Sequence, residues 1–93
     1  MIIITGHEVV AAEQRDGFVE AFRDLVARAR AFDGCLHFAI SADSVDPERV
    51  DLTEVWQDFE ALKAWRKQAR GPRVPKPKSV VITRYDATPA DAL

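Results

Sequence analysis

The chain has 93 residues, of which 47% are hydrophobic and 30% are charged, and its net charge is −2. This length fits one domain, and a domain this small buries only about 60% of the surface that its unfolded chain exposes. The single cysteine, Cys35, excludes an intrachain disulfide, and the short apolar runs exclude a membrane-spanning helix. We therefore predict one domain over residues 1–86, with a tail over 87–93, that gains further burial by self-association.

Two other features of the composition bear on partners and location. Residues Met1 to His7 lack the basic start and the long apolar stretch of a secretory signal, so a reduced, cytoplasmic setting is expected. From Ala61 to Tyr85 the sequence contains Lys and Arg but no Asp or Glu. This basic segment either attracts an anionic or phenolic ligand, or it forms a solvated helix face followed by a solvated loop. It matches no nucleic-acid-binding motif, and no nucleic-acid or membrane partner is expected.

The first predicted elements are a strand and a helix. Residues Ile2 to Val10 form a short β-branched run that is typical of a strand. A helix is predicted from about Glu13, because apolar residues recur there at helical spacing. The members of that stripe are Phe18, Phe22, Leu25, Val26 and Ala29. Gly34 follows as the left-handed residue that ends the helix.

The middle of the chain is predicted to form two strands joined by a turn. Residues Cys35 to Ser41 alternate, which places three apolar side chains on one face and three residues on the other. The first set is Leu36, Phe38 and Ile40, and the second is Cys35, His37 and Ala39. Pro47 and its acidic neighbours predict the turn. In the third strand one face is shared by Val50, Leu52, Glu54 and Trp56.

A second helix and a fourth strand complete the pattern. Asp58 is the expected N-cap, and Leu62, Trp65 and Ala69 share one side of the helix before Gly71-Pro72 ends it. Residues Ser79 to Tyr85 form the last strand. The order βαββαβ predicts a ferredoxin-like α+β fold, with a four-stranded antiparallel sheet and two helices on one face.

The first and fourth strands carry apolar residues on both of their faces. Ile2–Ile4 and Val80–Ile82 contain no polar side chain, whereas a sheet covered on one side alternates apolar and polar residues. Because both helices already cover one face, we expect a second copy of the sheet to cover the other. The sequence therefore predicts a homodimer.

Four segments resemble the antibiotic biosynthesis monooxygenase family. They are the entry to the second strand at residues 32–38, the turn at 46–50, the run from Glu54 to Trp65, and the closing strand at 81–85. The resemblance implies a dimeric α+β barrel with a ligand cavity between sheet and helices in each subunit. Characterised members oxidise phenolic polyketides or quinols with molecular oxygen and use neither flavin nor metal.

The resemblance also separates branches of the family. A haem-degrading subgroup uses a tryptophan of the second helix and a histidine ten residues later. Trp65 matches that tryptophan, but Pro75 stands at the histidine position, so haem degradation is disfavoured. For the polyketide oxidases, Trp65 and a fourth-strand arginine, nearest to Arg84, carry over. The asparagine that these oxidases place one turn before the tryptophan is Ala61 here.

Oxygenation without a cofactor needs an apolar pocket, a group that accepts a proton and a positive group that faces an oxyanion. The catalytic candidates are Trp65, Arg84, His37 and His7, and the substrate-binding candidates are Trp65, Trp56, Phe38, Tyr85 and Glu54. Each has a plain structural alternative: a core tryptophan, a strand histidine that is satisfied locally, an arginine or glutamate in an ion pair. Two histidines without further ligands at suitable spacing match no metal site, and no cofactor is expected.

The leading hypothesis is a cofactor-independent monooxygenase that oxidises a small phenolic, quinol or polyketide-like substrate with molecular oxygen. The alternative is a non-catalytic dimeric module of the same fold that binds a small ligand or acts as a scaffold. Haem handling is a third and weaker reading.

Overall fold

The computed structural model describes residues 1–92 and arranges them as a four-stranded antiparallel sheet with helices on one face. In chain order the elements are β1 (Ile2–Val9), α1 (Ala12–Ala21), α2 (Arg23–Arg30), β2 (Cys35–Ala42), β3 (Arg49–Trp56), α3 (Phe59–Gln68) and β4 (Ser79–Asp86). The sheet order is β2-β3-β1-β4, with β4 at an edge. The ferredoxin-like architecture predicted from the sequence is confirmed.

The first helical region is divided, where the sequence predicts one helix. Phe22 ends α1 with φ −86° and ψ −3°, and the same residue precedes α2. Its N–H donates to the carbonyl of Val19 at 3.1 Å, which tightens the last turn. The rings of Phe18 and Phe22 lie 5.1 Å apart, so the apolar side continues across the break. The break therefore divides the helical region without interrupting its apolar face.

Two positions that the sequence singled out as helix signals lie at the far end of this layer. Gly34 has the predicted positive φ, at +90°, but α2 already ends at Arg30 with Ala31 as its C-cap, so Gly34 shapes the turn before β2 and does not end the helix. A Cβ built on Gly34 would lie 2.5 Å from the Cβ of Ala61. The position therefore requires glycine for both conformation and space. The Asp58 side chain accepts from the N–H of Ala61 at 2.8 Å and caps α3. That helix ends at Gln68, three residues before the predicted Gly71-Pro72 stop.

The hydrophobic core lies between the helices and the sheet. Its largest buried members are Phe38, Trp56, Leu62 and Trp65, with Ile2 and Ile4 of β1 beneath them. Leu36 was expected beside Phe38, and this prediction is wrong. Leu36 is 56% exposed while Phe38 is 3% exposed, because the pairing of β2 with β3 is irregular between Cys35 and His37. A bulge interrupts the alternation on which the prediction depended.

Strand β4 extends beyond the helical layer. The helices pack against β2 and β3, and every residue of β4 is exposed. Its pairing with β1 is unusually close at Gly6, where a Cβ would overlap the backbone oxygen of Val81. Residues 87–92 of the predicted tail have no regular structure, and the N–H of Ala87 donates to the carbonyl of Met1 at 2.8 Å. Leu93 lies outside the described residues.

Candidate functional site

The sheet has two faces, which differ in what lies against them. Strand alternation directs Ile4, Glu8, Val50, Leu52 and Glu54 toward the helices, and this is the covered face. The opposite side, which contains Thr5, His7, Asp51 and Thr53, is the open face. Both faces contain a concave region, and the two regions differ in shape and chemistry.

A cavity of about 220 Å³ lies between the covered face and the helices. It is lined by Glu8, Phe18, Phe22, Leu25, Phe38, Ile40, Val50, Leu52, Glu54 and Trp65. Eight of these ten side chains are apolar, and Glu8 and Glu54 are the charged ones. Because a cavity of about 150 Å³ holds a benzene molecule, this cavity has room for a compact aromatic ligand of one or two rings.

Trp65 forms the aromatic wall of this cavity. Its ring stacks on that of Trp56 with centroids 6.1 Å apart and an interplanar angle of 26°. Phe32 and Phe38 meet the same ring edge-on at 5.5 Å and 6.3 Å. Only 4% of Trp65 is exposed. These contacts fix the orientation of the indole, so the wall is rigid before any ligand arrives.

Glu54 and Glu8 supply the two carboxyl groups of the cavity, and the side chain of Glu54 is fixed by a hydrogen bond. Its Oε1 accepts a hydrogen bond from Nε1 of Trp56 at 2.9 Å. Burial raises the pKa of Glu54 above its ordinary value, and the Trp56 hydrogen bond and the charge of Arg66 act in the opposite direction. The hydrogen bond positions one oxygen and leaves the second free to face a ligand. Glu54 therefore combines a fixed position with a desolvated, more basic carboxylate.

Glu8 was not among the residues selected from the sequence. It lies on β1 opposite Val50 of β3 and Val80 of β4, and burial raises its pKa above the ordinary glutamate value. One signal in the sequence could have identified it. Alternation along β1 places Glu8 on the same face as Ile2 and Ile4, so an acidic side chain follows two apolar ones on the buried face. The same argument selected Glu54.

The structure brings some of the selected residues together and separates others. Phe38, Glu54 and Trp65 line one cavity, and Trp56 lies behind it with no exposed surface. Arg84 does not line that cavity. Its guanidinium carbon lies 4.8 Å from the ring centroid of Phe59, at the junction of β4 and α3. The oxyanion partner expected from the sequence is therefore placed at a different surface from the aromatic wall.

The two histidines also lie away from the cavity. His37 is exposed and borders a shallow groove with Arg30 and Cys35. The Cys35 thiol is close by: its Sγ donates to the carbonyl of His37 at 3.6 Å, and burial raises its pKa. His7 lies on the open face, on the far side of the sheet from Trp65.

The open face contains a broad groove of about 450 Å³. Three threonines stand side by side across it, since Thr5 pairs with both Thr53 and Thr83. Tyr85 and His7 lie along the same surface. Between residues 1 and 92, no three His, Cys, Asp or Glu side chains are close enough to hold a metal ion. No helix in that range is long and apolar enough to cross a bilayer.

Comparisons with known proteins agree with this geometry. The antibiotic biosynthesis monooxygenase family matches residues 1–70. No curated protein matches the chain. Among solved structures, a candidate antibiotic biosynthesis monooxygenase from Deinococcus radiodurans is 22% identical, with 100% of this chain and 98% of that chain covered and a TM-score of 0.73.

Two further structures have the same fold. A candidate antibiotic biosynthesis monooxygenase from Nitrosomonas europaea is 18% identical, covers 94% of this chain and 98% of its own, and has a TM-score of 0.75. A conserved protein from Methanosarcina mazei Go1 is 18% identical, with coverages of 94% and 92% and a TM-score of 0.73. Identities this low establish the shared fold, and the family match covers most of the chain. The protein therefore belongs to the antibiotic biosynthesis monooxygenase family.

Proposed function

We propose that the protein is a monooxygenase that oxidises a small phenol with molecular oxygen, the substrate itself supplying the electrons. One observation carries the proposal: the desolvated carboxylate of Glu54 faces the same cavity as the aromatic wall of Trp65. A phenol stacked on that wall would place its hydroxyl within reach of a proton acceptor. The family match supports an oxygenase activity of this kind.

The reaction balances without a further reductant. A phenol that carries hydrogen at its para carbon loses two hydrogens and gains one oxygen atom, which gives a para-quinone, and the second oxygen atom leaves as water. The four electrons come from the ring. The enzyme's task is to convert the phenol into the electron-rich phenolate inside a pocket that excludes water.

Glu54 is the residue that we assign to this proton transfer. An ordinary glutamate is a weak base toward a phenol, whose pKa is about 10. Burial raises the pKa of Glu54, which makes the transfer less unfavourable. Trp65 stacks on the ring and excludes water from one side, while Phe38 closes the edge. Arg84, His37, His7 and Tyr85 have no part in this assignment, because they border other surfaces.

A homodimer is part of the same proposal. The chain exposes 6319 Å², whereas a compact monomer of this mass exposes about 5400 Å². The excess is close to the roughly 800 Å² that each partner contributes to a standard interface. The radius of gyration of 13.8 Å likewise exceeds the about 12 Å expected for a compact chain of this length.

The location of exposed apolar side chains indicates where this interface would lie. Val80, Val81, Ile82 and Tyr85 of β4 are between 38% and 56% exposed. Val81 and Tyr85 share the open face with the row of threonines. A second copy packed against this face would cover β4 and convert two open sheets into one closed barrel.

Labelled oxygen provides the test of the proposed reaction. Metal-free and flavin-free protein incubated with 1-naphthol and ¹⁸O₂ should yield 1,4-naphthoquinone with one labelled oxygen atom, and labelled water in equal amount. Glu54→Gln keeps the acceptor for Trp56 but removes the base, and should lower the rate by about 10²–10⁴-fold. Glu60→Gln, at an exposed position of α3, is the matched control.

Two outcomes would contradict the proposal. Binding of 1-naphthol without oxygen uptake would favour the alternative, a non-catalytic ligand-binding module of the same fold. A product without label would show that oxygen acts only as an electron acceptor. Equal rates in Glu54→Gln and in the unmodified protein would remove Glu54 from the chemistry.

A further inference from the structure

The second carboxyl group of the cavity, Glu8, has no role in the proton transfer described above. It lines the same cavity as Glu54. Within residues 1–92, its side chain takes part in no hydrogen bond or ion pair, whereas Glu54 is held by Trp56. Glu8 is only half-buried, so its carboxylate keeps its full acceptor capacity, and a ligand in the cavity that donates a hydrogen bond would replace the water there.

The spacing of the two carboxyl groups limits the shape of such a ligand. Glu8 pairs with Val50, and Glu54 lies four residues farther along β3. Four residues of strand span about 13 Å between Cα atoms, so the two glutamates stand at opposite ends of the cavity floor. A ligand that bonds to both carries donors that point in opposite directions, as hydroxyls on the two rings of a fused two-ring system do.

The walls between the two ends fit a flat ring system. Phe18, Phe22 and Leu25 of the helices oppose Ile40, Val50 and Leu52 of the sheet. These side chains provide apolar contact on both faces of the ligand and no hydrogen bond between its ends. The volume of about 220 Å³ is larger than the about 150 Å³ that accepts benzene and too small for a ring system of three or four fused rings.

We propose that Glu8 is a specificity-determining residue, and that the cavity selects neutral two-ring diols with a hydroxyl on each ring and a hydrogen para to it, and rejects aromatic acids. This inference deepens the proposed function, since it names the ligand class of the same cavity. One hydroxyl would donate to Glu54, where the proton is removed, and the other to Glu8, which fixes the ring. An aromatic carboxylate would place like charges together at one end or the other and bind weakly.

The charged groups around the two ends agree with this selectivity. At Glu8, burial alone accounts for the raised pKa, and no charged neighbour in the part of the chain that the structure describes contributes to it. Near Glu54, the positive charge of Arg66 acts from α3. Burial raises the pKa of both Glu8 and Glu54, and both carboxyl groups accept hydrogen bonds when ionised.

Three ligands of one ring skeleton, each with a hydrogen para to its hydroxyl, test the proposal: 1,5-dihydroxynaphthalene, 1-naphthol and 5-hydroxy-1-naphthoic acid. Binding is measured without oxygen at pH 7, by calorimetry on the unmodified protein. The diol should bind at least tenfold more tightly than the mono-alcohol, and the acid at least tenfold more weakly than the diol. Equal affinities for the diol and the mono-alcohol, or an acid that matches the diol, would overturn the proposal.

Variants then assign the selectivity to Glu8. Glu8→Met keeps the side-chain volume but removes the acceptor, and should reduce the preference for the diol to less than twofold. Glu8→Gln keeps an acceptor and removes the charge, so it should retain part of that preference and bind the acid more tightly. Glu13→Gln, which removes a charge from an exposed position of α1, should change none of the three affinities. An unchanged preference in Glu8→Met would overturn the assignment.

The two proposals fail in different ways. Selective binding of the diol without oxygen uptake on any phenol would overturn the oxygenase and leave the role of Glu8 standing. Oxygen uptake with 1-naphthol at the same rate as with the diol, and equal affinities, would overturn the role of Glu8 and leave the oxygenase standing. If Glu8→Met does not fold, the three affinities of the unmodified protein still decide.

Discussion

The covered face and the open face of the sheet share the same backbone but differ in what they bury. Toward the helices, Trp56 and Val50 are at most 2% exposed and the aromatic rings interlock. On the other side, Val81 and Tyr85 remain more than half exposed. Because successive strand residues point to opposite sides, one sequence specifies two surfaces independently. The covered face provides stability and a cavity, and the open face is the surface that we propose for association.

The largest expected effect concerns the covered face at Trp65. Trp65→Ala should lower the free energy of unfolding by about 3–5 kcal/mol, because it removes a buried ring that touches three other aromatic side chains. Trp65→Phe keeps most of that contact and should cost well under half as much. Urea unfolding measures both.

Val45→Ala is the control for that comparison, since Val45 is 89% exposed and a surface substitution usually changes stability by no more than about 0.5 kcal/mol. Ligand binding adds a second criterion. A large stability loss in Trp65→Phe with unchanged binding of hydroxylated aromatics would make Trp65 a core residue only, and the wall of the cavity would need another candidate.

The second effect concerns the open face at Val81. Val81→Lys would place one ammonium group from each subunit inside the proposed interface, and should raise the dimer dissociation constant by about 100-fold or more. Light scattering over a range of concentrations measures it. Val45→Lys, at a turn position that is 89% exposed, should leave the dimer intact. A chain that is monomeric at every concentration before substitution would remove the open face as an association surface.

The third effect concerns the strand that joins the two surfaces. Gly6→Ala would drive a methyl group against the backbone of Val81. A backbone carbonyl has no rotamer to adjust, so a loss of about 1–3 kcal/mol or more is expected in urea unfolding. Gly17→Ala in α1, where a Cβ meets nothing within 4 Å, should instead raise stability by roughly 0.5–1 kcal/mol. Similar effects of the two substitutions would show that β4 adjusts easily.

The smallest effect concerns pH. Because burial raises the pKa of Glu54, the folded carboxyl group holds its proton more tightly than the unfolded one. Its contribution to stability is full below the ordinary glutamate pKa and is lost as the pH rises through the raised value. Glu54→Gln cannot titrate. The stability of the unmodified protein relative to Glu54→Gln should therefore fall as the pH rises above the ordinary glutamate pKa of about 4.3, and a constant difference would contradict the raised pKa.

Much of the fold was predictable because its signals are local. The spacing of apolar residues identified the strands and α3. The Asp58 cap and the positive φ of Gly34 could also be predicted from the sequence. Alternation along β3 placed Trp56 and Val50 on the same face, which is the buried one. Each of these depends on a few neighbouring residues. Where a local signal was interrupted, prediction was wrong: the irregular pairing after Cys35 turned Leu36 outward, and Phe22 divided the first helix.

The sequence by itself determined which side chains share a strand face, and hence that Glu54 would lie with Trp56 and that His7 would lie apart from Ile4. Only the tertiary structure decided which elements meet. The pairing of β1 with β3 brings Glu8 into the same cavity as Glu54, and α3 adds Trp65 above them, while Arg84 is directed to Phe59. Strand order and helix placement depend on contacts between residues that are distant in the sequence, and a local pattern does not specify which distant residues meet.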